Sequence, residues 1–252
     1  MTWSKTYAGA EPQRVNKWLA SEGVCSRREA EELIAKGQVR IDGQRVDDPG
    51  RKILPGQKIE VGAAHAAAKI SAVINKPTGF VSSQPERDQA PAARLLTQAN
   101  LIGAAPVMPT KTTSLPPLGR LDQDSRGLLL LSEDGVLTKA VIGPDSKLDK
   151  EYLVRVAGPI NDRKLALLRH GLSLDGRILK PAKIEQVEPQ RLRFTLTEGR
   201  NRQIRRMCEL VDLDVTDLYR IRIGPLKIGD LPEGKWRALT ETERAAIIRD
   251  SK

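Results

Sequence analysis

The chain has 252 residues, of which 39% are hydrophobic and 29% charged, and its formal net charge is +10 at pH 7. This length accommodates one large domain and a small one. The positive charge favours a polyanionic partner such as nucleic acid. The alternative is a basic surface that serves only solubility. Two cysteines and two histidines exclude a disulfide framework and disfavour a zinc site, and the apolar runs are shorter than the roughly 20 residues that span a bilayer.

The first predicted structure is a compact helix-helix-hairpin unit over residues 13–62, preceded by a flexible tail at residues 1–12. Ser26 and Glu29 have the spacing of a capping box, which predicts the start of the second helix. An Asp-Gly pair at positions 42–43 separates two short alternating segments and indicates a hairpin turn. We therefore expect a small α/β domain here.

This unit resembles the S-four (S4) RNA-binding domain through Ser-Arg-Arg-Glu-Ala at 26–30, Gly-Gln-Val at 37–39 and Asp-Gly at 42–43. The resemblance implies that four basic side chains face RNA phosphates: Arg27, Arg28, Lys36 and Arg40. Arginines in the first turn of a helix oppose its dipole, so they are poor choices for stability but suitable phosphate contacts. For either of the two arginines alone, a solvated surface position is the default interpretation.

The alanine-rich run at residues 63–68 is predicted to be an interdomain linker, and residues 69–252 are predicted to form the larger domain. A strand that ends in Asn-Lys-Pro-Thr-Gly at 75–79 begins this domain. Residues 82–118 are rich in Pro, Ala, Ser and Thr, which predicts an irregular segment with one short helix around 92–99. Such long loops are uncommon unless they are functional or disordered. This loop leads directly into Gly119, so we expect it to shape the rim of a site there.

The most distinctive segment is Gly-Arg-Leu-Asp-Gln-Asp-Ser-Arg-Gly at 119–127, followed by four leucines. A short continuous apolar run predicts a strand covered on both faces. Arg120 and Asp122 share one face if the segment is extended. Asp122 then lies where solvent meets the core, a place suited to a carboxylate that stays ionised while partly desolvated. A turn or capping role is the alternative, and it is preferred for the nearby acidic residues Asp124, Asp134 and Asp145.

Three later segments complete the pattern. Lys-Glu-Tyr at 150–152 precedes an apolar strand. The string Glu-Gly-Arg-Asn-Arg-Gln-Ile-Arg-Arg-Met at 198–207 opens a helix whose arginines lie on a different arc from its apolar stripe. Leu-Tyr-Arg-Ile-Arg-Ile-Gly-Pro-Leu follows at 218–226, and a capping box at 240–243 predicts a terminal helix.

The order of these segments resembles the RNA pseudouridine synthases, and it points to the RsuA/RluB/RluE/RluF group, which joins an S4 domain to a synthase core. The strings at 120–125 and 201–209 look most like the RluF type, which acts on large-subunit ribosomal RNA. The implied fold is α+β, with a mixed, mainly antiparallel sheet and flanking helices. The implied reaction breaks the N-glycosidic bond of a uridine and rejoins the base through carbon, with no redox cofactor or metal.

The resemblance also implies roles for individual residues. Asp122 is the expected nucleophile, although sequence leaves open whether it attacks the sugar, attacks the base or removes a sugar proton. Arg120 extrudes the uridine, a step that costs a few kcal/mol, and Tyr152 stacks on the base above Leu218 at roughly 1–3 kcal/mol. Arg205 lies beside Asp122 and keeps it ionised. The other arginines of the basic string serve RNA binding or structure: Arg200, Arg202 and Arg206.

Two alternatives remain at this stage. The first is a noncatalytic RNA-binding factor with a decayed core, against which the intact Asp122, Tyr152 and Arg205 argue. The second is the same chemistry on small-subunit ribosomal RNA or tRNA. In either case we expect a monomer that binds RNA rather than a membrane. Its cysteine usage and an N-terminus without a signal-peptide stretch indicate the cytoplasm.

Overall fold

The computed structural model describes residues 3–62, 69–83, 85–86, 88–110, 113 and 115–251. The predicted linker at 63–68 lies outside the described residues. Within the described part of the chain, no helix combines the length and apolar character needed to cross a bilayer.

The N-terminal unit is a small α/β structure with one core. Its helices are α1 (Val15–Ser21) and α2 (Arg27–Ala35). Its strands are β1 (Trp3–Thr6), β2 (Gln13–Arg14), β3 (Val39–Ile41), β4 (Gln44–Arg45), β5 (Lys52–Ile53) and β6 (Lys58–Val61). Four strands form a sheet in the order β1-β6-β3-β4, and β2 pairs with β5. Apolar side chains from both helices and from the strands share one buried cluster.

Two local predictions for this unit are confirmed. The Ser26 hydroxyl accepts from the Glu29 amide at 3.3 Å, and the Glu29 carboxylate accepts from the Ser26 amide at 2.6 Å, so the capping box is complete. Asp42 and Gly43 both have positive φ, 50° and 79°, as the tight turn between β3 and β4 requires.

The predicted flexible tail at residues 1–12 is wrong from Trp3 onwards. β1 pairs antiparallel with β6, in a register that runs from Trp3 opposite Val61. Tyr7 is buried, with its ring edge-on to Trp18 at a centroid distance of 5.8 Å. This edge strand depends on a partner about 55 residues away, so no local pattern announces it.

The second unit is built around an eight-stranded mixed sheet. Its strands are β7 (Ser71–Lys76), β10 (Arg126–Ser132), β11 (Lys150–Ala157), β14 (Lys183–Glu188), β15 (Arg191–Leu196), β16 (Asp214–Ile223), β17 (Leu226–Lys227) and β18 (Trp236–Ala238). The order is β14-β15-β11-β16-β10-β7-β18, with β17 beside β16. β10 and β16 run parallel and the other neighbours antiparallel, which confirms the α+β fold predicted from sequence.

Helices flank this sheet: α3 (Gly135–Ile142), α4 (Asp162–Arg169), α5 (Gln203–Glu209) and α6 (Glu241–Asp250). Two short strand pairs complete the unit: β8 (Phe80–Val81) with β9 (Ala90–Pro91), and β12 (Ser173–Leu174) with β13 (Arg177–Ile178). The predicted capping box at the start of α6 is present, with Thr240 accepting from the Glu243 amide at 3.2 Å.

The four leucines of β10 form a strand covered on both faces, as predicted. Leu128 and Leu130 pack in a cluster that includes side chains of α3 and α6, whereas Leu129 and Leu131 pack in a second cluster with Trp236. All four are at most 1% exposed. Burial of each side chain contributes about 1.5–3 kcal/mol, so β10 is a rigid base for the segment before it.

The segment at 82–118 covers one face of the sheet. Its predicted short helix is two 3₁₀ turns, Ala92–Leu95 and Gln98–Asn100. Ala92 and Leu96 enter the cluster of Trp236, whose indole nitrogen donates to the Thr97 carbonyl at 2.8 Å. The described part of this segment is therefore packed structure that leads into the loop at 119–125.

Candidate active site

A cavity of about 720 Å³ opens where the loop at 119–125 meets the end of α3, the start of β11, the middle of β16 and the start of α5. It collects most of the side chains that the sequence singled out in the larger domain. These are Arg120, Asp122, Tyr152, Arg200, Arg202, Arg205 and Leu218.

The loop that carries Asp122 is anchored through the residue before it. Leu121 is 6% exposed, and its amide and carbonyl both hydrogen-bond to the Ser82 hydroxyl, at 2.9 and 2.6 Å. Arg120 is exposed and the Asp122 side chain is 31% exposed. The two flanking side chains thus line the cavity while the residue between them is buried, as the extended reading predicted.

The guanidinium that reaches Asp122 belongs to Arg202. Its Nη1 lies 3.6 Å from Asp122 Oδ2, and its two terminal nitrogens donate to the Asp124 carboxylate at 3.0 and 3.3 Å. Arg205 lies deeper, with Nε 3.3 Å from Asp124 Oδ2 and Nη2 donating to the Asp124 carbonyl at 2.9 Å. Asp124 therefore contacts both arginines, two residues after Asp122 in the same loop.

These contacts correct the pairing expected from sequence, in which Arg205 was the cation beside Asp122. Arg202 precedes α5 in a left-handed conformation, with φ 48° and ψ 32°. A helical projection does not represent such a residue, so its direction was not predictable from the periodicity of the string.

The electrostatics of Asp124 follow from this arrangement. Burial opposes its ionisation, but the hydrogen bond from Arg202 and the charges of Arg205 and Arg202 hold the pKa of this carboxyl below its usual range. Asp124 was expected to be a structural turn residue, and its contacts are those of a side chain that orients the cations of the site.

Arg200 and Arg206 bind the β12–β13 hairpin. Arg200 donates to carbonyl groups of the β12–β13 hairpin, including Leu174 at 3.2 Å. Arg206 forms a bidentate ion pair with Asp175, with hydrogen bonds of 2.7 and 2.9 Å. Both side chains thus have partners within the protein, and RNA contact by either stays a prediction.

Tyr152 and Leu218 share one side of the cavity. Tyr152 lies opposite Arg220 in the pairing of β11 with β16, and Leu218 is the diagonal neighbour on the same face. Leu218 is 7% exposed and belongs to the core cluster against which Tyr152 packs. The tyrosine ring therefore has an apolar support and also lines the cavity.

Sequence reasoning missed Arg220, which is 1% exposed. Its guanidinium donates to the carbonyls of Leu128 at 2.8 Å, Gly119 at 2.9 Å and Arg120 at 3.3 Å. It thereby ties β16 to the loop that presents Asp122. The sequence did contain a signal for a buried arginine here. Leu218 and Arg220 alternate on the buried face of one strand, where an arginine is rare unless its side chain is paired.

Lys76 is a second buried cation, in the Asn-Lys-Pro-Thr-Gly segment. It is fully buried and donates to the carbonyls of Pro77 at 2.9 Å and Phe80 at 2.8 Å. Burial lowers the pKa of its ammonium to about 8, partly offset by the charge of Asp124. The lysine closes the turn after β7, next to the active loop.

The four basic residues expected to face RNA in the N-terminal unit are all exposed: Arg27, Arg28, Lys36 and Arg40. Lys36 is 4.0 Å from Glu32, and Arg40 donates to the Gly43 carbonyl at 3.0 Å. Across the described residues, no group of three or more His, Cys, Asp or Glu is gathered in a way that could hold a metal ion.

Comparison with known proteins gives two domain matches. Residues 70–210 match the model of a family described as RNA pseudouridylate synthase. Residues 13–59 match the S4 domain.

Relatives are similar over nearly the whole chain. The dual-specificity RNA pseudouridine synthase RluF of Salmonella typhi is 34% identical, over 94% of this chain and 78% of its own. An Arabidopsis thaliana chloroplast protein, SVR1, named as a candidate ribosomal large subunit pseudouridine synthase, is 31% identical over 94% of this chain and 61% of its own. A crystal structure of a pseudouridylate synthase superimposes with a TM-score of 0.63 and 27% identity, covering 93% of this chain and 99% of that one.

Proposed function

The chain belongs to the RNA pseudouridylate synthase family, whose members are isomerases, and on this premise we propose that it converts a specific uridine of large-subunit ribosomal RNA to pseudouridine with Asp122 as nucleophile. We assign RNA binding to an S4 domain at residues 13–62 and catalysis to residues 69–252. We expect the protein to act as a monomer in the cytoplasm.

The observation that carries this proposal is the position of the Asp122 carboxylate. It lines the cavity 3.6 Å from a guanidinium, on a loop fixed by Ser82 and Arg220, and it shares the cavity with Tyr152. Attack on the sugar, attack on the base and removal of a sugar proton all need an ionised carboxylate at the ribose-base junction. The guanidinium of Arg202 supplies a positive charge next to this carboxylate.

The other residues supply what the reaction needs around this carboxylate. Tyr152, supported by Leu218, offers a face on which the uracil ring stacks and stays bound while it turns. Arg120, exposed at the rim, is suited to extrude the uridine and to replace it in the RNA stack, since a planar cation both stacks and binds phosphate. Arg202 and Arg205, oriented by Asp124, supply positive charge near the nucleophile.

The large-subunit target rests on the RluF-like strings at 120–125 and 201–209 and on the name of the Arabidopsis relative. The RluF relatives are named dual-specificity enzymes, which favours a second substrate RNA as the other candidate activity. Pseudouridine mapping of ribosomal RNA and tRNA from cells that lack this protein distinguishes them. We expect one large-subunit uridine to lose its modification; loss confined to small-subunit RNA or tRNA would contradict the large-subunit assignment.

The nucleophile is tested by Asp122→Asn. We expect this variant to bind RNA as the wild type does and to form no pseudouridine, because the amide carries no negative charge. Asp145→Asn, at an exposed acidic position outside the cavity lining, is the matched control and should retain activity. Pseudouridine formation by Asp122→Asn would exclude the proposed role.

A further inference from the structure

One end of the cavity holds two cations without a counter-ion. Lys150 and Arg220 both line it, and among the described residues no carboxylate lies within ion-pair distance of either. The acidic neighbours of Lys150 in sequence are paired elsewhere, since Asp149 and Glu151 both bind Arg222, at 2.6 and 2.7 Å. A desolvated pair of positive charges that opens onto a cavity is a site for an anion.

The two cations meet at a recess beside Gly119. A Cβ atom at position 119 would lie 3.8 Å from Arg220 Nη1, 3.9 Å from Lys150 Cε and 3.8 Å from Ile142 Cγ2. Three side chains therefore approach position 119, where φ is +91°, and all of them line the cavity together with Gly119. Ile142 is 49% exposed, so it forms an apolar wall at the mouth of this recess.

The Lys150 ammonium is the unsatisfied member of the pair. Arg220 donates to three backbone carbonyls, whereas within the described part of the chain no acceptor takes a hydrogen bond from Lys150 Nζ. Burial, and then the charge of Arg220, hold the pKa of Lys150 below its usual range, although the charge of Asp149 acts in the opposite direction. An anion in the recess would offset both effects.

We propose that this recess binds a backbone phosphate of the substrate RNA next to the extruded uridine, with Lys150 as the direct ligand and Arg220 as a fixed positive charge. The inference rests on the proposed function. Lys150 and Tyr152 are two residues apart on β11, so a nucleotide whose base stacks on Tyr152 brings its sugar-phosphate toward Lys150. Ile142 then contacts the ribose.

The salt dependence of RNA binding tests this contact, with a fluorescent ten-nucleotide oligouridylate as probe and the full chain as protein. Lys150→Met should weaken binding about tenfold and lower the slope of log Kd against log salt by about 0.7, the value for one phosphate on a single strand. Lys150→Arg should restore the slope. Lys147→Met, at an exposed lysine outside the cavity lining, is the matched control and should keep it. A wild-type slope in folded Lys150→Met overturns the proposal.

A second measurement uses the wild-type protein and so does not depend on the folding of a variant. Acylation of Lys150, followed by mass spectrometry, should be slowed by the oligouridylate and also by an abasic ribose-phosphate oligomer, while Lys147 reacts at an unchanged rate. Protection by the uridine oligomer alone would assign Lys150 to the base and overturn the proposal, as would no protection. Neither measurement requires product, so a protein that shows the phosphate contact but makes no pseudouridine would refute the proposed function alone.

Discussion

Substitution of Gly127 by alanine tests how the sheet positions the active loop. Gly127 is the second residue of β10, where it pairs with Lys76 on one side and Arg220 on the other. Its φ is +106°, and an added Cβ would lie 2.3 Å from the Arg220 carbonyl oxygen and 2.8 Å from the Arg220 amide nitrogen. Those neighbours are backbone atoms, so the methyl group cannot be accommodated by a side-chain rotation.

The expected cost has two parts. An L-residue held in a sparsely populated backbone region costs about 1–3 kcal/mol. Forcing a methyl group into a close-packed sheet costs about 1–3 kcal/mol more through the shift of β16 against β10. Gly127→Ala should therefore lower the free energy of unfolding by about 2–6 kcal/mol, a large part of the roughly 5–15 kcal/mol typical of folded proteins.

The same shift should reach the active loop, because the side chain of Arg220 holds the Gly119 and Arg120 carbonyls. A displacement of about 1 Å at a reacting group lowers the rate on the order of 100-fold. In the folded fraction of Gly127→Ala we therefore expect a loss of this order in single-turnover pseudouridine formation. RNA affinity that depends on the S4 domain should change little.

Urea denaturation followed by circular dichroism measures the stability change, with the m-value as a check that the unfolded state is unaltered. Gly199→Ala is the matched control. Gly199 also lines the cavity, but nothing lies within 4 Å of its added Cβ, so its effect should stay within about 0.5 kcal/mol. A loss below about 1 kcal/mol for Gly127→Ala, or unchanged single-turnover rates, would refute the reasoning.

Two further predictions concern stability and substrate binding. Asp134 is 1% exposed, caps α3 and accepts from Arg244 at 2.7 Å; burial opposes its ionisation, but Arg244 and Lys69 hold its pKa below the usual range. The ionised form of Asp134 therefore stabilises the protein above the unfolded pKa of about 3.9, and this contribution is lost as the pH falls through the folded pKa. Asp134→Asn should lower the free energy of unfolding by about 1–3 kcal/mol at pH 7 and by less at pH 3, as measured by urea titration. An equal loss at the two pH values would contradict this. Tyr152→Ala should lower kcat/KM for pseudouridine formation by a factor equivalent to about 1–3 kcal/mol of activation free energy, because the stacking face is lost. Tyr152→Phe retains that face and should lose less. Equal losses in the two variants would argue for the hydroxyl instead.

Several features were predictable from sequence because their causes are local. The capping boxes at Ser26 and Thr240 join groups three residues apart, and the Asp-Gly turn needs only two residues with positive φ. The four leucines at 128–131 predicted a strand buried on both faces because strands covered on both faces have continuous apolar runs. The order of the motifs placed Asp122, Tyr152 and Leu218 in one site, and the structure brings them to one cavity.

Other features depend on residues far apart in sequence, and those were missed or misassigned. The strand at Trp3 exists because β6 offers it an edge. Arg202 rather than Arg205 lies within ion-pair distance of Asp122. Arg202 itself has a left-handed backbone before α5, so a helical projection does not give the direction of its side chain. Periodicity reports which face a side chain occupies, but it does not report which of several arginines a carboxylate on another element will meet.

By itself, the sequence predicted the α+β class and the two-part organisation through the family resemblance that its motif order carries, and it singled out Asp122 as the candidate nucleophile. The tertiary structure alone decided how that carboxylate is held and what surrounds it. Arg220 ties β16 to the active loop across about 100 residues, and Lys150, Ile142 and Gly119 form a recess only when α3, β11 and the loop are packed together. The role of a buried charge depends on its neighbours in space, because its free energy is set by desolvation and by the partners within a few ångströms.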